Sequence, residues 1–271
     1  MSGSAAIVAE GISKRFYLHR NRTHSLKERF LGLFHDRHRS KLMEFWALRH
    51  VSLTISAGES VGLVGRNGSG KSTLLKLIAG IHTPTEGRLL ARRGARIGSM
   101  IELGVGFHPE LTGCENVYLN ASLYGLTRLH VDRLYSSIVD YAGIGPFLDE
   151  PIKNYSSGMS IRLAFAVAAH LDPDVLLLDE IFAVGDANFQ QRCLQTLREF
   201  VAQGRTMVFV SHSPLAIRQM CTRVCVLDEG RLLFDGNVDE GLALYDEVLR
   251  LRPNTVGNLW AGAVQGPATF K

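Results

Sequence analysis

Gly65-Arg66-Asn67-Gly68-Ser69-Gly70-Lys71-Ser72 is a match to the pattern G-x-x-x-x-G-K-[ST]. A β-rich run, Val61–Val64, precedes it, and Ser72–Ala79 follows with apolar residues at helical spacing. The residue types have a physical logic in that context. Glycines let the backbone wrap closely, so that successive N–H groups and the following helix N-terminus face phosphate oxygens. Lys71 supplies a point charge to the outer phosphates, and the Ser72 hydroxyl is a ligand for Mg²⁺. Gly65, Asn67, Gly68, Ser69, Gly70, Lys71, Ser72 and Thr73 are therefore expected to hold a nucleotide.

Outward from this loop, β-like and helical segments alternate. Leu53–Ile55 and Val61–Val64 read as strand, turn and strand about Ala57-Gly58. From Thr112 to about Leu171 the pattern is mostly helical, with turns at Gly125, at Gly143-Ile144-Gly145-Pro146 and at Pro151. Val175–Asp179 and Thr206–Val210 are continuous apolar runs of the kind buried on both faces of a parallel sheet. Gln190–Val201 and Pro214–Met220 read as helices. Val224–Leu227 and Leu232–Phe234 read as a hairpin turning at Glu229-Gly230, and Val238–Leu251 as a last amphipathic helix. The expectation is an α/β fold around a parallel sheet with an inserted helical block.

Three further pieces carry chemistry. Leu176-Leu177-Leu178-Asp179-Glu180 delivers Asp179 to a strand's C-terminal end, where α/β sheets place ligands, and suits it to hold Mg²⁺. Glu180, one residue on, is placed to orient and deprotonate an attacking water. Tyr155-Ser156-Ser157-Gly158-Met159-Ser160 opens the helix Ile161–Leu171 with small and polar residues, a second phosphate-binding helix N-terminus. One nucleotide does not need two such cradles from one chain, so a head-to-tail dimer is expected, each subunit lending its second cradle to the other. Ser211-His212 ends the strand Thr206–Val210 and brings an imidazole to the same edge.

The order of phosphate loop, SSGM helix opening, LLLDE and strand-end histidine resembles the nucleotide-binding subunit of an ABC transporter, over roughly residues 5–250. The run Ile101-Glu102-Leu103-Gly104-Val105-Gly106-Phe107-His108-Pro109-Glu110-Leu111-Thr112-Gly113, with Glu115-Asn116 and YSSGM, resembles the polysaccharide exporters for O-antigen, capsule, teichoic acid and lipid-linked galactan. The resemblance implies a P-loop ATPase core with an N-terminal antiparallel β region and a helical subdomain over about 107–172. It implies ATP and Mg²⁺ as ligands, with Lys71, Glu180 and His212 catalytic. Ser156 and Gly158 would meet the partner's γ-phosphate, with Asp186 at the dimer seam. The glutamine that ligates Mg²⁺ in most relatives is absent. Glu102 lies near its position, a shift of one residue would put Leu103 there, and Gly104–Gly106 leaves the register open. For the aromatic on adenine, Phe16 and Tyr17 follow Ser13-Lys14-Arg15 as the family's aromatic would, while Trp46 lies closer to the next strand.

Charge is uneven. Residues 14–41 hold nine Lys/Arg against Glu28 and Asp36, within a chain of net charge +4. Ser25-Leu26-Lys27-Glu28 fits a capping box, and Leu26, Phe30, Leu33 and Phe34 share one helical face. A basic amphipathic helix is thus expected inside an insertion over 18–45, suited to a membrane surface or partner protein, and the charge suits phosphate head groups, nucleic acid or a pyrophosphate carrier; the resemblance to the exporters implies that it attracts the pyrophosphate of a polyprenyl-linked glycan. Residues 1–251 read as one ATPase domain and 252–271 as a tail.

At 271 residues, 46% hydrophobic and 21% charged, the chain has globular composition, and no run approaches the ~18 apolar residues of a membrane helix. The first residues lack a secretory pattern, and Cys114, Cys193, Cys221 and Cys225 show no metal-like or redox spacing, so reduced thiols are expected. The expected partners are a second copy and two copies of an integral-membrane permease, with the chain peripheral on the cytoplasmic side of the inner membrane. The rival readings are an ABC exporter ATPase for another substrate, an ABC ATPase acting on nucleic acid, and a subunit that holds ATP without hydrolysing it. Neither coiled coil nor paired cassette is present, so nucleic acid is not an expected partner. Lys71, Asp179, Glu180 and His212 together favour hydrolysis.

Overall fold

A computed structural model of the chain describes residues 4–19, 42–101, 104, 106–179 and 186–251. The interior of the expected insertion, 20–41, lies outside the described residues with its amphipathic helix; so do Glu102, Leu103, Glu180 and the tail 252–271.

Period-two patterning builds the first sheet. In β2 (Leu42–Ser56), Val51, Leu53 and Ile55 are buried while Ser52 and Thr54 are exposed, so one face is apolar and the other wet. β2 pairs antiparallel with β1 (Ala5–His19), and β1 pairs antiparallel with β4 (Glu86–Ala91), giving a three-stranded sheet in the order β2-β1-β4. Residues 18–19 and 42–45, at the edges of the expected insertion, are paired strand. The strand, turn and strand expected about Ala57-Gly58 are present, but the two strands do not pair with each other. β3 (Ser60–Gly65) is buried throughout and enters a different sheet.

That second sheet has six strands in the order β5-β6-β7-β3-β8-β9. β5 (Ile97–Met100), β6 (Val175–Asp179), β7 (Thr206–Val210), β3 and β8 (Arg223–Asp228) run parallel, and β9 (Arg231–Gly236) closes the edge antiparallel. Apolar runs are what this position demands, because both faces are covered. Val175 and Leu177 of β6 pack toward β1, β2 and helix α1 (Lys71–Ile78). Leu176 and Leu178 pack on the opposite face with α5 (Ala187–Ala202), α6 (Pro214–Met220) and α7 (Val238–Leu251). Gly241 lets α7 approach closely, since a Cβ there would run into Val224 and the Phe234 ring.

The helical block folds as α2 (Gly113–Leu123), α3 (Arg128–Ala142) and α4 (Ser157–Ala169) around a cluster that includes Val117, Ile138, Leu163 and Val167. Its punctuation is local. Thr112 and Glu115 form a reciprocal capping box, worth about 1 kcal/mol, and Gly143 ends α3 in the left-handed conformation.

Candidate phosphate-binding site

Topology alone brings the site together. β6, β7 and β3 are neighbours, and their C-terminal ends carry Asp179, Ser211-His212 and Gly65 respectively. Asp179 lies opposite Val210, so the acid and the imidazole leave adjacent strands at nearly the same level. Three parallel strands thus deliver a loop, a carboxylate and an imidazole to one crevice, the place where such sheets bind ligands.

A cavity of about 430 Å³ opens there. Its floor is the loop, through Asn67, Gly68, Ser69, Gly70, Lys71, Ser72 and Thr73, and Asp179 and His212 line its wall. The loop conformation depends on its glycines. Gly68 and Gly70 sit at φ 78° and 107°, and a Cβ on Gly70 would lie 2.6 Å from the Ala47 carbonyl oxygen. Lys71 is buried, and its Nζ donates to the carbonyls of Gly65 and Arg66 at 2.7 and 2.9 Å. The buried Ser69 Oγ has no hydrogen-bond partner among the described residues, a group whose burial costs about 1–3 kcal/mol unless something satisfies it. The closing hairpin braces the loop from below: Gly230 N–H donates to the Ser69 carbonyl at 3.0 Å, and the Gly230 carbonyl accepts from Arg49 N–H at 2.7 Å. Glu229 and Gly230 both have positive φ, the turn geometry that hairpins favour.

The expected residues divide between this cavity and other places. Phe16 and Tyr17 do not line it. The Phe16 ring meets His82 edge-on at 5.5 Å, while Tyr17, 52% exposed, lies with Trp46 on the opposite face of the β1–β2 ribbon, both against the Arg15 guanidinium. Phe45, which the sequence reading passed over, does line it. Phe45 pairs directly with Phe16, so the two share a face, but Phe45 stands on the strand nearer the loop. No simple alternation could have found it, because two register shifts separate Val51 from Phe45, and Leu48, not Arg49, is the next buried position on that side.

Ser156, Gly158 and Asp186 also stand apart from the cavity. Ser156 caps α4, its Oγ accepting from Met159 N–H at 3.2 Å, and both Ser156 and Ser157 are exposed. Asp186 caps α5 by accepting from Phe189 N–H at 2.9 Å, a bond that holds its carboxyl below the usual carboxylate range. Arg162 of α4 reaches 3.5 Å from Asp186 and donates through Nε to the Ala142 carbonyl at 2.8 Å, joining the two helix openings. Among the described residues no helix is long and apolar enough to cross a membrane, and all four cysteines are free thiols.

Comparison with known proteins agrees with this geometry. The ABC transporter family pattern matches residues 48–183. An O-antigen export system ATP-binding protein of Klebsiella pneumoniae is 43% identical over 220 residues, covering 80% of this chain and 89% of its own. A teichoic acids export ATP-binding protein of Listeria innocua is 39% identical over 250 residues, 92% of this chain and 72% of its own. Among solved structures, an ATP-binding subunit of an ABC transporter superposes with a TM-score of 0.68 at 21% identity, over 89% of this chain and 93% of that one. A dimeric ATP-binding cassette bound to ADP and Pi gives 0.66 at 21% identity, over 86% and 98%; at such identities the likeness establishes the fold. The α/β core expected from the sequence is therefore the observed one, and the chain belongs to the ABC transporter family as one of its ATPase subunits.

Proposed function

We propose that this chain drives export of a lipid-linked polysaccharide, as a homodimer of ATPase subunits working on two copies of an integral-membrane permease at the cytoplasmic face of the inner membrane. The observation that carries the reading is the convergence of the phosphate loop, Asp179 and His212 on one cavity, in a chain similar to O-antigen and teichoic-acid export subunits. Transported substrate, permease and copy number rest on that similarity and on the basic segment.

In this reading the loop N–H groups and the α1 N-terminus wrap the phosphates of ATP, and Lys71 Nζ turns from its carbonyl partners to the outer phosphates. The donor set at the loop's end fits Mg²⁺. Ser72 and Asp179 offer a hydroxyl and a carboxylate on the same cavity, hard oxygen ligands that leave room for phosphate oxygens. When bound, the ion neutralises charge on the transferring phosphoryl group. Glu180 orients and deprotonates the attacking water, and His212 steadies the γ-phosphate. Dimer closure supplies Ser156 and Gly158 from the opposite subunit. Arg162 links that helix to Asp186 at the seam, so each subunit's second cradle and its own seam acid move together.

Phe45 is the aromatic for adenine in this arrangement, because its ring alone among the candidates borders the cavity. Phe45→Ala should raise the KM for ATP about tenfold, in keeping with the ~1–3 kcal/mol that base–aromatic stacking contributes, and leave kcat within about twofold. Steady-state phosphate release checks it, with Tyr17→Ala as the variant expected to change neither constant.

The function itself is tested in cells. Loss of this chain should leave the surface glycan unexported, and the wild-type gene should restore it. A variant with Arg20, Arg22, Arg37 and Arg39 all changed to Glu should fail to restore export while keeping the ATPase rate of the solubilised protein. Full export by that variant would remove the basic segment from the mechanism; normal surface glycan without the chain would remove the export function.

A further inference from the structure

His212 is reached from behind by a group that neither the phosphate loop nor the acid-bearing strand supplies. Tyr245 of α7, 33 residues further along the chain, places its hydroxyl 3.3 Å from His212 Nδ1. The tyrosine is 4% exposed and packs in the apolar cluster that also holds Leu242, Phe209 and Val226. Phenylalanine would fill that site equally well. A hydroxyl taken into such surroundings is destabilising unless it is hydrogen-bonded, so its presence calls for a polar reason, and the imidazole is within reach.

The chemistry of the neighbouring cavity fixes the direction of the bond. A phosphate oxygen only accepts. A neutral imidazole has one N–H, and if Nδ1 carried it, Nε2 would present a lone pair to an anion. The favourable arrangement has the proton on Nε2 and leaves Nδ1 as an acceptor. A phenolic O–H can donate to that nitrogen.

We propose that Tyr245 is a positioning residue that selects the protonation form of His212: its O–H donates to Nδ1, so that the ring carries its proton on Nε2 and offers a donor to the γ-phosphate of ATP. This rests on the reading of His212 given above. It makes α7, which supplies none of the loop, strand-end or helix-opening motifs, a determinant of the rate of phosphoryl transfer. A shift of α7 along β8 would release the imidazole to the other tautomer without touching the nucleotide.

The experiment compares purified full-length wild type, Tyr245→Phe, Leu242→Val and His212→Ala with Mg²⁺ and ATP, reading kcat, KM and the ¹⁵N shifts of the His212 ring. The wild-type ring should show the Nε2–H form. Tyr245→Phe should populate Nδ1–H and lower kcat about tenfold while KM for ATP stays within about twofold, the loss of one well-placed hydrogen bond. Leu242→Val, buried on the same helix, should lower thermal stability yet leave kcat and the tautomer unchanged. Wild-type turnover in Tyr245→Phe, an Nδ1–H ring in the wild type, or an equal loss of kcat in Leu242→Val would each overturn the proposal. His212→Ala separates the two levels: if it keeps wild-type turnover, the role of His212 falls and Tyr245 with it. If it stops turnover while Tyr245→Phe does not slow it, only the tautomer assignment falls.

Discussion

Lys71→Ala should turn over ATP about a thousandfold more slowly than the wild type, the scale on which removal of one preorganised charge from a transferring group acts. The lysine is buried at the start of α1, and its ammonium is held by two carbonyls of the loop it serves. In the proposed function a cation there would stabilise charge on the outer phosphates in surroundings where water screens little, so its removal should affect both binding and transfer. Nucleotide affinity should fall as well, and a fluorescent ATP analogue measures it beside phosphate release. Folding should survive, because the helix that Lys71 begins is anchored by Leu74, Leu75, Leu77 and Ile78 in the core. A variant that hydrolyses ATP within tenfold of the wild-type rate would contradict the assignment of this loop.

Glu180→Gln separates binding from chemistry. In the sequence it directly follows Asp179, which ends β6 opposite Val210 and borders the cavity. A glutamine keeps the size and the hydrogen-bonding reach of the side chain but cannot accept the water's proton. Turnover should drop by about 10²–10⁴-fold, the range general-base catalysis contributes, while ATP affinity is kept. If, as proposed, closure needs bound ATP and opening needs its hydrolysis, the variant should accumulate as a dimer in the presence of ATP. Light scattering on a sizing column reads the mass directly. Monomer at saturating ATP, with turnover intact, would exclude Glu180 as the base.

How much of this was readable in advance follows the range of the interactions involved. The phosphate loop, the β6 and β7 runs and the turn at Glu229-Gly230 are written in contiguous residues, because tight turns and doubly covered strands impose their own composition. The N-terminal antiparallel sheet was legible only through the family resemblance, not from its own residue pattern. β1 is interrupted by shifts in register, and β4 is exposed at five of its six positions, so neither shows the alternation by which a strand is recognised. Leu53–Ile55 and Val61–Val64 look alike as short apolar runs, and only the partners they find assign them to different sheets. Phe45 and Tyr245 were missed for a related reason. Each looks like an ordinary strand or helix position, and the groups that give it meaning lie on other elements.

The brace between Gly230 and Ser69 has a bearing on how the protein is made. The carbonyl of Ser69 is tied to a turn some 160 residues downstream, and β3, from which the loop springs, is flanked by β8 on one side. A nascent chain therefore carries the whole phosphate loop long before it carries the parts that hold it in shape. Competence to grip ATP should therefore come late, once the closing hairpin has cleared the ribosome and added its edge, and prematurely terminated fragments should hold nucleotide less well.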